Sequence, residues 1–136
     1  MNVAVGRLRA ADPESLALQI AAGRALIGAA VLASPVRSAR MLGADTATAQ
    51  RVAWLTRMLG VRDGALGIGG VAATRQGTGA ASWVLAGAVA DALDAVVLAG
   101  ALKQGRVKGL GPSATVPFAA GAAVLGALTA LRLRRR

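Results

Sequence analysis

Six charged side chains stand inside long apolar stretches of this chain: Arg24, Arg57, Arg62, Asp63, Asp91 and Asp94. Arginine carries a planar guanidinium that stays charged in any protein environment, and aspartate supplies the only carboxylates in these stretches. When apolar segments cross a bilayer, such charges face a partner or a water-filled cavity. Arg24, Arg62, Asp63 and Asp91 fall close to their segment midpoints, and Asp94 lies about one turn beyond Asp91 at ~1.5 Å per residue. The spacing predicts a buried charged layer in which Arg24 and Arg62 meet Asp63 and Asp91, while Arg57 pairs with Asp94. Equal numbers of cations and anions make that layer neutral, as a low-dielectric interior demands.

Three chemistries fit such a layer. The plainest is structural: paired charges fix helix register and nothing passes through. A second is proton or ion coupling at Asp91 and Asp94, which share one helix face at i,i+3. Neighbouring carboxylates compete to ionise, although nearby guanidinium groups hold them charged. A third is recognition of an anionic lipid or metabolite by Arg24, Arg57 or Arg62. The chain has no Cys and no His, which removes disulfides, Cys/His zinc sites, Cys nucleophiles and His acid–base catalysis. No nucleophile sits in a recognisable motif, so no enzymatic activity, metal or cofactor is expected.

The elements that must position these residues are apolar and poor in large rings. The chain is 136 residues, 55% hydrophobic but only 2% aromatic, with 18 Gly, and its mean hydropathy is +0.56. That length is one domain. Soluble cores of this size use aromatic and large aliphatic side chains, whereas helices in lipid associate through small ones. The expected fold is therefore all-α, a single four-helix transmembrane bundle with short loops and a charged midplane layer. Its spans are expected at about 16–33, 52–74, 81–102 and 114–133.

Residues 1–11 form a basic lead with Arg7 and Arg9, and Asp12-Pro13-Glu14 reads as a helix start. Val31-Leu32-Ala33 resembles a signal-peptide cleavage site, but Arg24 in the apolar core and the acids ahead of it favour a retained span. Pro35 to Gly43 reads as a short interfacial helix, Arg75 to Gly79 as a tight turn, and Lys103 to Ser113 as a basic loop. Trp54 and Trp83 fall near opposite membrane faces in an antiparallel bundle.

Segment two is the difficult span. Arg57, Arg62 and Asp63 cost roughly 2.5–3.5 kcal/mol each near a bilayer centre, and large apolar residues return only about 0.3–0.6 kcal/mol each. Alone it does not insert; it must enter with its neighbours. A three-span chain with this segment in the interface is the competing topology. Gly60, Gly64 and Gly67 form one small-residue face on it, suited to packing against segment three or segment one. The run Gly64, Gly67, Gly69, Gly70 hints at a dinucleotide loop, but no strand precedes it. Arg62 points about 140° away from Arg57, at ~100° per residue. Either segment two is enclosed on both sides or Arg62 meets another subunit, so a homo-oligomer is expected.

The net charge is +10. The basic residues lie mostly at segment ends, and there are too few aromatics to stack on bases. Anionic lipid head groups, rather than nucleic acid, are the expected counter-charge. The arginine cluster of the tail favours cytoplasmic termini.

Gly23-Arg24 with Gly28, then Pro35, then Arg57-Met58-Leu59-Gly60-Val61-Arg62-Asp63 with Leu66-Gly67, then Asp91 and Asp94, resemble a family of small bacterial four-span membrane proteins. That family is catalogued as a domain of unknown function, and the resemblance covers about residues 16–133. It implies a multi-pass protein of the bacterial plasma (inner) membrane and no established activity. The expected role is a structural or accessory membrane component held by an Arg/Asp network. The alternatives are a small proton- or ion-coupled transporter using Asp91 and Asp94, and an anionic-lipid or metabolite binder.

Overall fold

The computed structural model describes residues 12–136, and all regular elements among them are helical. The basic lead with Arg7 and Arg9 lies outside the described residues. Helix α1 (Pro13–Ala33) begins where Asp12 accepts the Ser15 N–H at 3.1 Å and Pro13 occupies the first turn, the arrangement its sequence requires. Pro35 opens α2 (Pro35–Met41). A further short helix, α3 (Thr46–Arg51), is too brief to show in the hydrophobic pattern. It is held by Asp45, which accepts from the Thr48 hydroxyl at 2.6 Å and the Thr48 N–H at 3.0 Å. These bonds hold the Asp45 carboxyl below its ordinary range, the hydroxyl contributing most.

Three long helices complete the chain: α4 (Ala53–Gln76), α5 (Ala80–Lys103) and α6 (Leu110–Arg134). Gly77 ends α4 in the left-handed conformation at φ +69°, which only glycine adopts without cost. Helices α1, α5 and α6 are long and apolar enough to cross a membrane. By length and composition the count among the described residues is three, against the four of the predicted bundle. Helix α4 has the length, at 24 residues, but Arg57, Arg62, Asp63 and Arg75 remove it from the apolar class.

The long helices pack as two pairs, α1 with α4 and α5 with α6, and the pairs meet along α4–α5 and α1–α6. Arg136 reaches Asp12 at 2.8 Å at one end of the bundle, and Gly43 lies against Lys108 and Pro112 at the other. The long helices therefore run antiparallel in sequence.

Backbones in the first pair nearly touch. A Cβ on Gly28 would fall onto the Gly64 nitrogen and 2.7 Å from the Gly60 oxygen; one on Gly67 would fall onto the Ala25 nitrogen and 2.7 Å from the Ala21 oxygen. The glycine face of segment two thus meets α1. Gly64 itself has open space where a Cβ would go, so it serves as the surface on which Gly28 rests. Between the pairs, the Trp83 ring lies across Gly69.

Among the described residues the buried hydrophobic ones are alanines and one valine, Val84, while large apolar side chains such as Leu26, Ile68, Val97 and Phe118 stand exposed. This inverts the distribution of a water-soluble domain, where large apolar side chains fill the interior. Continuous apolar surface of this extent belongs against lipid or a partner.

Candidate functional site

The charged layer forms where the two helix pairs meet. Arg24 on α1 sends Nη1 to Asp63 Oδ1 on α4 at 3.0 Å, and Nη2 to Asp91 Oδ2 and the Gly87 carbonyl on α5, the latter at 3.2 Å. Arg62 on α4 donates from Nη1 and Nη2 to the two oxygens of Asp94 on α5, at 3.0 and 2.5 Å. Its Nε and Nη2 also reach Asp63 Oδ1, at 3.3 and 3.2 Å. Five side chains from three helices form one continuous network, with Asp63 shared by both guanidinium groups.

Burial grades across the network. Side-chain exposure is 11% for Arg24 and 16% for Asp63 and Asp91, but 34% for Arg62 and 44% for Asp94. The α1 end is therefore enclosed and the Arg62–Asp94 end is open. Among the described residues no buried side-chain nitrogen or oxygen lacks a partner, as a low-dielectric interior requires.

Two expectations are corrected. Asp94 pairs with Arg62, and Arg57 lies exposed with no ion pair among the described residues. The reason is angular: Arg57 and Arg62 point about 140° apart on one helix, and only Arg62 faces α5. Because Arg62 finds its acid within the chain, its direction gives no reason to require a second subunit. The second correction concerns charge. With Arg57 outside it, the network among the described residues holds Arg24 and Arg62 against Asp63, Asp91 and Asp94. It carries one formal negative charge in excess rather than being neutral.

Gly87 is the network residue that the sequence reading missed. A Cβ there would sit 3.0 Å from Arg24 Nε, so a side chain would displace the guanidinium that its carbonyl receives. Its position four residues before Asp91 places both on one face of α5, and that spacing was the available signal.

A cleft of about 310 Å³ opens between α1 and α6 onto this network. Ile27, Phe118 and Leu125 line its apolar walls, and Arg24, Asp63, Asp91 and Asp94 reach it from the network. Such a space, with charged groups on one side, is roomy enough and polar enough for water. Among the described residues no group of three or more His, Cys, Asp or Glu is placed to hold a metal ion.

The fold and the site define an all-α chain whose three apolar helices suit a multi-pass membrane protein, with an ion-pair network joining its two helix pairs. Comparison with known proteins finds no matching family model, no matching curated protein and no matching solved structure.

Proposed function

We propose that the chain is a four-span integral membrane protein of the bacterial inner membrane, with a structural or accessory role and no catalytic step. The observation that carries this reading is that both guanidinium groups cross between the helix pairs, Arg24 to Asp91 and Arg62 to Asp94. Each midplane charge on α4 is then met by a charge inside the bundle. Arg62 and Asp63 would each cost roughly 2.5–3.5 kcal/mol on an isolated helix. Held by their neighbours, they allow α4 to enter the bilayer as part of the bundle rather than alone. Termini on the cytoplasmic side follow from the arginine-rich tail, and the resemblance to the four-span family rests on the residues quoted above.

The absence of cysteine provides the test. Single cysteines replace Thr78, in the α4–α5 turn, and Ser113, at the start of α6; both side chains are exposed. In intact cells and inverted vesicles a membrane-impermeant thiol reagent is expected to label them from opposite sides, with Thr78 cytoplasmic. Labelling from one side only would refute the span of α5. A third cysteine at Val52, ahead of α4, is expected to label from the side of Ser113. Labelling from the side of Thr78 would leave α4 in the interface and give the three-span topology.

The cleft and the excess carboxylate favour a second reading, proton- or ion-coupled transport through Asp91 and Asp94. Under that reading Asp91→Asn abolishes proton-linked efflux at normal protein levels. Under the structural reading no such flux exists to lose.

A further inference from the structure

Arg57 was expected to pair with Asp94 in the charged layer and instead stands outside it, and its surroundings suggest what it does there. It lines an open concavity of about 1050 Å³ together with Arg37 and Arg40 of α2. None of these three arginines has an ion pair among the described residues. Asp45 also lines the concavity, but both of its oxygens are engaged in capping α3. Pro35 and Ala39 are the buried residues of α2 and Arg37 and Arg40 are exposed. The helix therefore lies along α4 with its basic side turned outward.

We propose that Arg37, Arg40 and Arg57 form a binding site for a phosphate-bearing anion, with the head group of an anionic phospholipid as its source. Guanidinium groups match phosphate oxygens in paired hydrogen bonds, and basic pockets at the ends of membrane helices collect anionic head groups. The apolar surroundings favour lipid over free phosphate. Trp54, one turn before Arg57, is exposed, as are Met58 and Val61 on its other side. An interfacial ring, a basic site and an apolar surface leading towards the midplane follow the order of a lipid's own parts. The site rests on α4 meeting the bilayer, within it or at its interface, because Arg57 on a helix away from lipid meets only water.

The test uses the full chain in phosphatidylcholine vesicles, with Trp83→Phe leaving Trp54 as the sole fluorophore and keeping a ring against Gly69. Brominated phosphatidylglycerol at a low mole fraction is expected to quench Trp54 more than brominated phosphatidylcholine at the same fraction. In R37Q/R40Q/R57Q that preference is expected to vanish, at roughly fivefold per arginine. In R132Q/R134Q/R135Q, at the opposite end of the bundle, it is expected to persist. Reversal of the preference by millimolar inorganic phosphate at constant ionic strength would keep the phosphate chemistry and assign the site to a free anion. Equal quenching by both lipids places Trp54 in the bilayer and overturns the head-group site alone. Quenching by neither overturns the membrane placement of α4, and the lipid site with it.

Discussion

Arg62 leaves α4 to clasp Asp94 on α5, its Nη1 and Nη2 lying 3.0 and 2.5 Å from the two carboxylate oxygens. That bidentate pair is the open counterpart of the enclosed contact from Arg24 to Asp91. Together they fasten the α1–α4 pair to the α5–α6 pair at two points, with Asp63 between them accepting from both guanidinium groups. Anions outnumber cations in this network, so losing a guanidinium and losing a carboxylate are not equivalent events.

Arg24→Gln raises the excess from one formal negative charge to two and strips Asp91 of its only ion-pair partner among the described residues. Each single Asp→Asn change in the network instead leaves it neutral. Breaking a buried pair from one side costs about 3–5 kcal/mol. Arg24→Gln is therefore expected to be the most damaging change in the layer, with Asp63→Asn and Asp94→Asn much milder. Reversible unfolding in mixed micelles measures this order. Adding Asp91→Asn to Arg24→Gln is expected to restore part of the loss, because it removes the carboxylate left behind. Equal losses for Arg24→Gln and Asp63→Asn would contradict the charge argument.

Two glycines on one face of α4 are expected to behave oppositely. Gly67→Ala drives a methyl group into the Ala21–Ala25 backbone of α1, and overpacking of this kind costs about 1–3 kcal/mol. Gly64→Ala meets open space and gains helix propensity of up to ~1 kcal/mol. The same unfolding measurement is expected to show Gly67→Ala less stable than the parent and Gly64→Ala equal to it or more stable. Matching losses would mean that the two helices are not in the register described.

The long helices were legible because they rest on local signals: Asp12-Pro13 starts α1, the turn glycines Gly77 and Gly79 flank the α4–α5 connection, and apolar runs fill the intervals. The pairing of Asp63 and Asp91 with Arg24 followed from depth alone. The partner of Asp94 did not, because depth places both Arg57 and Arg62 within reach, and only the rotation of α4 about its axis separates them. That rotation is set by Gly28 on Gly64 and Gly67 on Ala25, contacts between distant parts of the chain. Reading Gly60, Gly64 and Gly67 as one face left open whether α1 or α5 covers it. Had α1 been assigned, Arg57 would have been turned away from α5. The role of Gly87 was hidden for a related reason, since a missing side chain has meaning only once the arginine that fills its place is known.

Acid is expected to loosen α3 locally. The Asp45 carboxyl is held below its ordinary value of 3.8, chiefly by the Thr48 hydroxyl. A depressed folded value means that the cap stabilises α3 fully above the ordinary aspartate range and is lost as the pH falls through the lower folded value. Exchange of the Thr48 amide, corrected for intrinsic rate, is expected to stay protected down to about pH 4 and to lose protection below it. Asn also caps helices but does not titrate, so Asp45→Asn is expected to flatten that acid limb. An unchanged limb in Asp45→Asn would assign the loosening to another group.

Water is expected to reach the network through the cleft between α1 and α6. Gly23 lines that cleft beside Arg24, and a Cβ there meets nothing within 4 Å, so a cysteine at this position adds a thiol without displacing a neighbour. Ala95, although next to Asp94, is buried among the helices and stays silent whether or not the cleft is wet. An unbalanced carboxylate in a membrane interior needs water, a bound cation or a proton, because an isolated charge in a dry low-dielectric site is too costly to persist. With charged groups facing about 310 Å³ of space, water is the simplest of the three. Gly23→Cys is expected to react with a small charged thiol reagent, more slowly than a cysteine at Ser113, and Ala95→Cys not at all. Adding Asp94→Asn makes the network neutral and is expected to slow the reaction of a cationic reagent while leaving that of an anionic one no slower. If Gly23→Cys is inert to both reagents the cleft is dry, and the excess charge must be balanced by something other than water.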